Sequence, residues 1–244
     1  MLSPLLLLCN ITFAQKTSSL SMGSRQVKES ANYGLVYTGP MLYYGLAWER
    51  NVQGKQLNYG FDLGTGVLFS RGAPALNFSI KPIDLALRYE GSGILSGLWI
   101  GPALRGTYEY ALYPEMQAGF DYWFTRLSLG ISTLYDQDLS SERLRCKGFI
   151  SLLDMVSRQP AERGPHFYDL GPGHALKHLN SGLTPGFWSR SFSAEFQLAW
   201  RRRPDSRCTL AYALSYAGYY EEPRYALLQH TLRLMFNKHD DAKP

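Results

Sequence analysis

Long apolar runs are scarce in this chain. Of its 244 residues 45% are hydrophobic, yet beyond the first residues no uninterrupted apolar stretch reaches the length of about 20 residues that a membrane-spanning helix needs. The sequence therefore argues against a helical membrane protein. Charged residues amount to 18%, and a chain of this composition is neither disordered nor a coiled coil, so we expect one substantial folded domain.

Cysteine is also scarce, with three residues in the whole chain. Cys9 falls in the apolar leader, which leaves Cys146 and Cys208, a pair that would invite a disulfide in an exported protein. The alternation of apolar and polar residues places both on the outward apolar faces of two strands separated by a third. At about 4.8 Å per strand step they would be about 9 to 10 Å apart. That separation is beyond the reach of a disulfide.

A basic patch and a complete set of metal ligands are missing as well. The net charge is +5, but the lysines and arginines are dispersed over turns and inward-facing positions, so we predict no nucleic-acid partner. His174 and His178 stand one helical turn apart, with no third ligand at a matched spacing. We therefore predict no metal site and no cofactor.

The first residues have the character of an export signal. A run of four leucines, Leu5 to Leu8, is followed by Thr12-Phe13-Ala14, and cleavage before Gln15 would remove residues 1–14. Residues 15–31 are polar and weakly patterned, which predicts a periplasmic lead-in to the folded domain.

Strict alternation of apolar and polar residues is the strongest pattern present, as between Ser191 and Arg201, and it recurs over most of residues 32–236. Alternation alone cannot separate a soluble barrel from a membrane barrel. Here the apolar set carries Tyr and Trp near strand ends, as an aromatic girdle does, while the opposite set combines Gly, Ala and Ser with charges. The sequence therefore predicts an all-β fold, a transmembrane antiparallel up-and-down β-barrel.

We predict about ten strands, within a range of about eight to twelve. The range has two sources. The turn chemistry at Thr125-Arg126 is poor, so that strands at 116–124 and 127–136 either meet there or form one long bulged strand, and slips of the period at Gly39-Pro40 and Pro82 suggest bulges. An even count places both termini in the periplasm, with residues 237–244 as a tail, and puts the irregular segment 158–190 in one long extracellular loop.

Inward-facing charges form the main candidate site. Because unpaired charges are costly to bury, these residues are expected to form an ion-pair network that fills the lumen. The alternative is a narrow anion-favouring channel, suggested by the row of Arg143, Arg145 and Lys147. The predicted network comprises Asp62, Lys81, Asp84, Arg88, Arg105, Glu109, Arg143, Arg145, Lys147, Glu195, Arg201 and Arg233.

The long loop is the expected contact surface, with His166, Tyr168, His174, His178 and Trp188 as candidates.

A second alternative function is a barrel-embedded lipid acyl hydrolase, which would use the outward-facing His230. Its neighbours Gln229 and Thr231 supply no nucleophile in the same row, so no catalytic residue is predicted.

Several of these features together resemble small Bacteroidota-type outer-membrane β-barrel proteins. They are the leader ending in Ala14-Gln15, the Tyr-rich strands with Gly-Pro breaks, and the closing strand from His230 to Phe236. The resemblance implies the bacterial outer membrane, with lipopolysaccharide and phospholipid as lipid partners, and no defined activity. We accordingly expect no enzyme but a structural or accessory binding component, either alone or as a subunit of a larger complex with other outer-membrane or surface proteins.

Overall fold

The computed structural model describes residues 15–30, 34–52, 54–92, 97–114, 120–139, 142–158, 179–180, 182–202, 206–222 and 224–239. The predicted export signal at 1–14 lies outside the described residues, as do positions 240–244 of the predicted tail. The strands are β1 (Gln15–Glu29), β2 (Val36–Val52), β3 (Lys55–Ser70), β4 (Ala73–Glu90), β5 (Leu98–Tyr113), β6 (Phe120–Leu139), β7 (Glu142–Arg158), β8 (Thr184–Gly186), β9 (Ser191–Arg201), β10 (Cys208–Tyr219) and β11 (Tyr225–His239).

Ten long strands form a closed barrel. Each long strand pairs antiparallel with its neighbours along the chain, and β1 pairs with β11 over their whole length, which closes the sheet. The short strand β8 adds only three residue pairs to the end of β7. The predicted all-β, antiparallel, up-and-down barrel of ten strands is thus confirmed.

The two faces of the sheet have opposite character. On β9, Phe196 and Trp200 are 49% and 41% exposed on the outside, whereas Gln197 and Ala199 are buried inside. Large apolar side chains face outward around the whole barrel, while the inward face is polar or charged except for a cluster of buried apolar and aromatic side chains. A soluble barrel has the reverse arrangement, so this exterior is suited to contact with lipid.

The predicted periplasmic lead-in at 15–31 is wrong, because residues 15–29 form strand β1. The alternation was hidden because both faces of β1 are largely polar: Ser24 and Lys28 point outward, while Ser21 and Arg25 are buried inside. At the other end β11 continues to His239, three residues past the predicted end at Phe236. The barrel therefore spans residues 15–239 instead of 32–236.

The predicted division between residues 124 and 127 is also wrong, since β6 runs unbroken from Phe120 to Leu139. Thr125 is buried within the barrel wall, and both it and Arg126 pair in register with β5 and β7. The missed strand β1 and the divided strand β6 offset each other, which is why the predicted number of strands was nevertheless correct.

Of the two predicted bulges, one is present. Near Pro82 the pairing of β4 shifts by one residue against β3 and by one residue against β5. Such a shift is expected where a proline interrupts the ladder of backbone hydrogen bonds. Around Gly39-Pro40 the register of β2 against β1 is continuous. The change of pattern there arises because the aromatic residue Tyr37 points into the barrel, whereas Leu42 beyond the Gly-Pro pair points outward.

The up-and-down order defines two ends of the barrel. We call the end where β1 begins and β11 finishes the terminal end; it also carries the connections at 53–54, 91–97, 140–141 and 202–207. The opposite end, here the loop end, carries the connections at 30–35, 71–72, 114–119, 159–190 and 220–224. The longest connection therefore lies at the end away from the termini.

The sequence predicts no disulfide between Cys146 and Cys208 and no membrane-spanning helix. Cys146 and Cys208 are both free thiols, on β7 and β10 with β9 between them. Among the residues that the structure describes, no helix is long and apolar enough to cross a membrane.

Candidate functional site

An aromatic cluster fills the interior at the loop end. The rings of Phe124 and Tyr225 stack with centroids 4.2 Å apart, Tyr122 stacks on Tyr225 at 5.8 Å, and Tyr37 meets Tyr113 at 5.0 Å. All are at most 3% exposed, so this part of the lumen is packed like a protein core. We call these residues, together with Tyr219, the aromatic plug.

A buried guanidinium group lies in the next layer. Arg25 is 1% exposed and forms an ion pair with Glu109. It also donates hydrogen bonds to Asn77 Oδ1 at 2.7 Å and to Gln229 Oε1 at 2.8 Å, and the Tyr43 hydroxyl donates to the same Gln229 oxygen at 2.8 Å. These five residues, from β1, β2, β4, β5 and β11, form the Arg25 cluster.

Ion pairs across the lumen make up the middle layer. Arg105 lies between Asp84 and Glu195, with nitrogen–oxygen distances of 3.1 Å to each, and its guanidinium stacks 4.1 Å from the centre of the Phe149 ring. Lys81 reaches the same Glu195 at 3.0 Å. A further pair in this layer joins Arg233 to Asp62 at 3.4 Å.

The terminal end contains an interior cavity with a volume of about 100 Å³. Arg145 bridges Asp136 at 2.7 Å and Glu49 at 3.0 Å on its wall, and Arg143 binds Asp136 at 2.7 Å. We call this cavity the vestibule. Its charged and polar lining includes Thr17, Ser19, Glu49, Asn58, Asp62, Asp84, Arg88, Arg105, Arg143, Arg145, Lys147, Glu195, Arg201 and Arg233.

All twelve residues of the predicted network lie in the interior. Glu109 belongs to the Arg25 cluster, Lys81 to the middle layer, and the other ten line the vestibule. The structure adds Arg25, Glu49 and Asp136, which sequence reasoning missed. Arg25 lay in an unrecognised strand, whereas Glu49 could have been found by continuing the alternation past the outward residue Trp48.

The predicted loop contacts are only partly visible. His166, Tyr168, His174 and His178 lie outside the described residues. Trp188 is 56% exposed on the outer surface, where its ring meets Phe192 edge-on at 6.2 Å between centroids. Its indole nitrogen donates a hydrogen bond to the Ser151 carbonyl oxygen.

Trp188 belongs to a seam in the barrel wall. Backbone pairing of β7 with β9 ends at Ile150 and Ala194, and β7 pairs with β8 only from Asp154 onward. Between these points the Trp188 indole and the Ser193 amide, which donates to Ser151 Oγ at 2.9 Å, make the connections. We call this the side-chain seam. An apolar groove of about 480 Å³ runs along its outer side.

His230 faces outward on β11, and the Tyr212 hydroxyl lies 2.6 Å from its Nδ1 atom. Across the barrel closure, Ser24 of β1 is its direct partner in register. Side chains in such positions have Cβ atoms about 4.5 to 5.5 Å apart. A serine therefore does stand in the row of His230, on the strand that the sequence prediction missed.

The fold and this interior define a class of protein, the transmembrane antiparallel β-barrel with a lumen filled by side chains. Among the described residues, no group of three or more histidine, cysteine, aspartate or glutamate side chains could hold a metal ion.

Comparison with known proteins gives structural likenesses only. No family model matches the chain, and no curated protein matches it. The translocator domain of the autotransporter NalP from Neisseria meningitidis is 8% identical, with 95% of this chain and 91% of that chain covered and a TM-score of 0.47. The transport unit of the autotransporter AIDA-I from Escherichia coli is 9% identical, with 93% of this chain and 91% of that chain covered and a TM-score of 0.47. The toluene transporter TodX of Pseudomonas putida is 9% identical, with 98% of this chain and 93% of that chain covered and a TM-score of 0.38.

Proposed function

We propose that this protein is a bacterial outer-membrane β-barrel with a closed lumen, which serves as a structural or accessory binding component and not as an enzyme. The observation that carries the proposal is the filled interior. Between the loop end and the vestibule lie the aromatic plug, the Arg25 cluster and the middle layer, and the cavity lined by Lys81 and Arg126 has only about 30 Å³. A channel would need a continuous path of water, which these layers interrupt.

The proposed location follows from the surface and the connections. Closure of the antiparallel sheet pairs backbone groups between strands without water, and the exterior is apolar, which are the two conditions for crossing a bilayer with strands. The leader at 1–14 supports export. With the terminal end in the periplasm, the connections at the periplasmic side are short and the connection at 159–190 faces outward, as is usual in this class.

The proposed contacts are of two kinds. The exterior would be surrounded by phospholipid and lipopolysaccharide, and the 158–190 segment would contact other outer-membrane or surface proteins through residues such as Trp188 and His174. We propose no nucleic-acid partner and no cofactor.

The binding role can be tested by capture from native membranes. The tagged full-length protein is compared with a variant in which residues 160–177 are replaced by a short Gly/Ser linker, which leaves β8, Trp188 and the side-chain seam in place. We expect specific co-purifying proteins that the variant loses. A control replaces the connection at 91–97, at the opposite end, and should retain them. Partners that survive in the loop variant would contradict the proposed contact surface.

Ester hydrolysis at the outer surface is a second candidate function, favoured by one observation. Ser24 is the register partner of His230, and Tyr212, diagonally across on β10, lies within hydrogen-bond distance of the imidazole, as an orienting group would in a nucleophile–base pair. Expression of the wild type would then change the acylation of lipid A or phospholipid in mass spectra, and Ser24→Ala would abolish the change while Ser18→Ala on the same strand would not. Unchanged spectra for the wild type would dismiss hydrolysis.

A further inference from the structure

We propose that the vestibule is a binding site for a small oxyanion with two negative charges, of which inorganic phosphate is the simplest, and that Lys147 and Arg88 are the residues that hold it. The inference deepens the accessory binding role proposed above and rests on it. The ion-paired residues of the middle layer, Asp62, Asp84, Arg105, Glu195 and Arg233, form part of the lining of the vestibule.

The first argument is the charge of the lining. Seven cationic side chains line the vestibule, against four carboxylates. The cations are Arg88, Arg105, Arg143, Arg145, Lys147, Arg201 and Arg233, and the carboxylates are Glu49, Asp62, Asp84 and Glu195. Positive charge therefore prevails in the space that a ligand would enter.

The carboxylates are already engaged by other cations. Glu49 is bound to Arg145 at 3.0 Å and also accepts a hydrogen bond from Gln56 at 3.0 Å. Asp84 and Glu195 share Arg105, and Asp62 is paired with Arg233. Asp136, just outside the lining, is held by both Arg143 and Arg145. These pairs leave three cations of the lining, Arg88, Lys147 and Arg201. Arg201 lies at the end of β9 and donates a hydrogen bond to Thr209 Oγ1 at 3.0 Å, so Arg88 and Lys147 are the two to be accounted for.

Arg88 has only neutral hydrogen-bond partners in the described part of the chain. Its guanidinium donates to Ser132 Oγ at 2.9 and 2.7 Å and to Gln56 Oε1 at 2.8 Å, and the residue is 4% exposed. These three bonds fix the plane of the guanidinium beside the cavity. A fixed guanidinium with donors left over is a favourable partner for an oxyanion.

Lys147 is the second cation that takes part in none of these ion pairs, and Glu49 and Asp84 act on its charge only from a greater distance. It is partly buried on β7, and no carboxylate of the described residues lies within the 4.0 Å of an ion pair. An ammonium group withdrawn from water in this way is costly unless an anion accompanies it. An oxyanion between Lys147 and Arg88 would neutralise both groups at once.

The size and the remaining lining fit such a ligand. A volume of about 100 Å³ has room for one small oxyanion. Ser19 and Asn58 add hydroxyl and amide donors around the same space.

Equilibrium binding of radiolabelled inorganic phosphate to the folded full-length barrel in detergent tests the proposal. We expect saturable binding of one phosphate per barrel at low ionic strength. Lys147→Gln and Arg88→Gln should each weaken it at least tenfold, whereas Lys147→Arg should retain it. Lys55→Gln removes one exposed positive charge at the same end of the barrel and should bind as the wild type does. The shift in electrophoretic mobility on heating shows that each variant is folded.

Thermal unfolding supplies a second measurement that does not depend on the label. Phosphate should raise the melting temperature of the wild type and of Lys55→Gln but not that of Lys147→Gln. Without phosphate, Lys147→Gln should melt at least as high as the wild type, because the variant no longer carries an unbalanced cation.

Absence of saturable phosphate binding by the wild type, or equal binding by the wild type, Lys147→Gln and Arg88→Gln, would overturn the inference. These outcomes are distinct from failure of the closed-lumen proposal. A barrel that binds phosphate and also conducts ions would contradict only the closed lumen, and a silent barrel that binds no phosphate would contradict only the vestibule site.

Discussion

A buried charge in this barrel is stabilised by partners from other strands. Arg25 on β1 is paired with Glu109 on β5 and hydrogen-bonded to Asn77 and Gln229. The inward position of Glu195 could be predicted, because it follows from the outward position of Phe196. The inward position of Arg25 could not be predicted, since polar residues occupy both faces of β1 and the alternation gives no contrast. Which inward charges pair depends on distances across the lumen, which the alternation does not encode.

At this scale we predict that Arg25→Met destabilises the barrel strongly, by about 3–5 kcal/mol, because Glu109 is left as a buried carboxylate without a counter-charge. The double variant with Glu109→Gln should recover most of the loss. Urea unfolding in lipid vesicles measures both. Lys28→Met, an outward lysine on the same strand, is the control and should lie close to the wild type. Equal losses for the single and the double variant would refute a dominant role of the ion pair.

The strands differ in how far the sequence determines them. The predicted bounds of β9, Ser191 to Arg201, are those of the structure, because apolar and polar residues alternate there without a break. β6 was divided because Thr125 and Arg126 interrupt the apolar pattern, although both are accommodated within a continuous strand. β8 and the side-chain seam could not be predicted, since they depend on contacts between β7 and residues at least 28 positions away.

The side-chain seam should be the weakest part of the barrel wall. We predict that Trp188→Phe accelerates hydrogen exchange of the β7 and β9 amides around Ser151 and Ser193, because one hydrogen bond across the seam is lost, at a cost of about 1 kcal/mol. The matched control is Trp200→Phe, an outward tryptophan of β9 whose indole donates to Glu142 at 3.0 Å. Exchange that rises equally in both variants, or in neither, would show that the seam is no weaker than the rest of the wall.

At the scale of the whole molecule, closure decides which residues meet. The barrel brings Lys81 to Glu195 and Arg25 to Gln229, pairs far apart in the chain that only the strand number and register place together. The aromatic plug shows the limit of composition as a guide, because tyrosine serves both on the lipid face, as Tyr44, and inside, as Tyr225. The class of fold could be predicted from alternation, but whether the lumen is filled could not.

The closed lumen is the central claim, and current through single barrels in planar lipid bilayers tests it most directly. The refolded full-length protein is added to the bilayer, its folded state verified by electrophoretic mobility, with a porin as the positive control for insertion. The filled interior predicts no stepwise current at any applied voltage. Discrete conductance steps, with an anion preference that falls when Arg143 and Arg145 are replaced by glutamine, would contradict the closed lumen and establish the narrow channel instead.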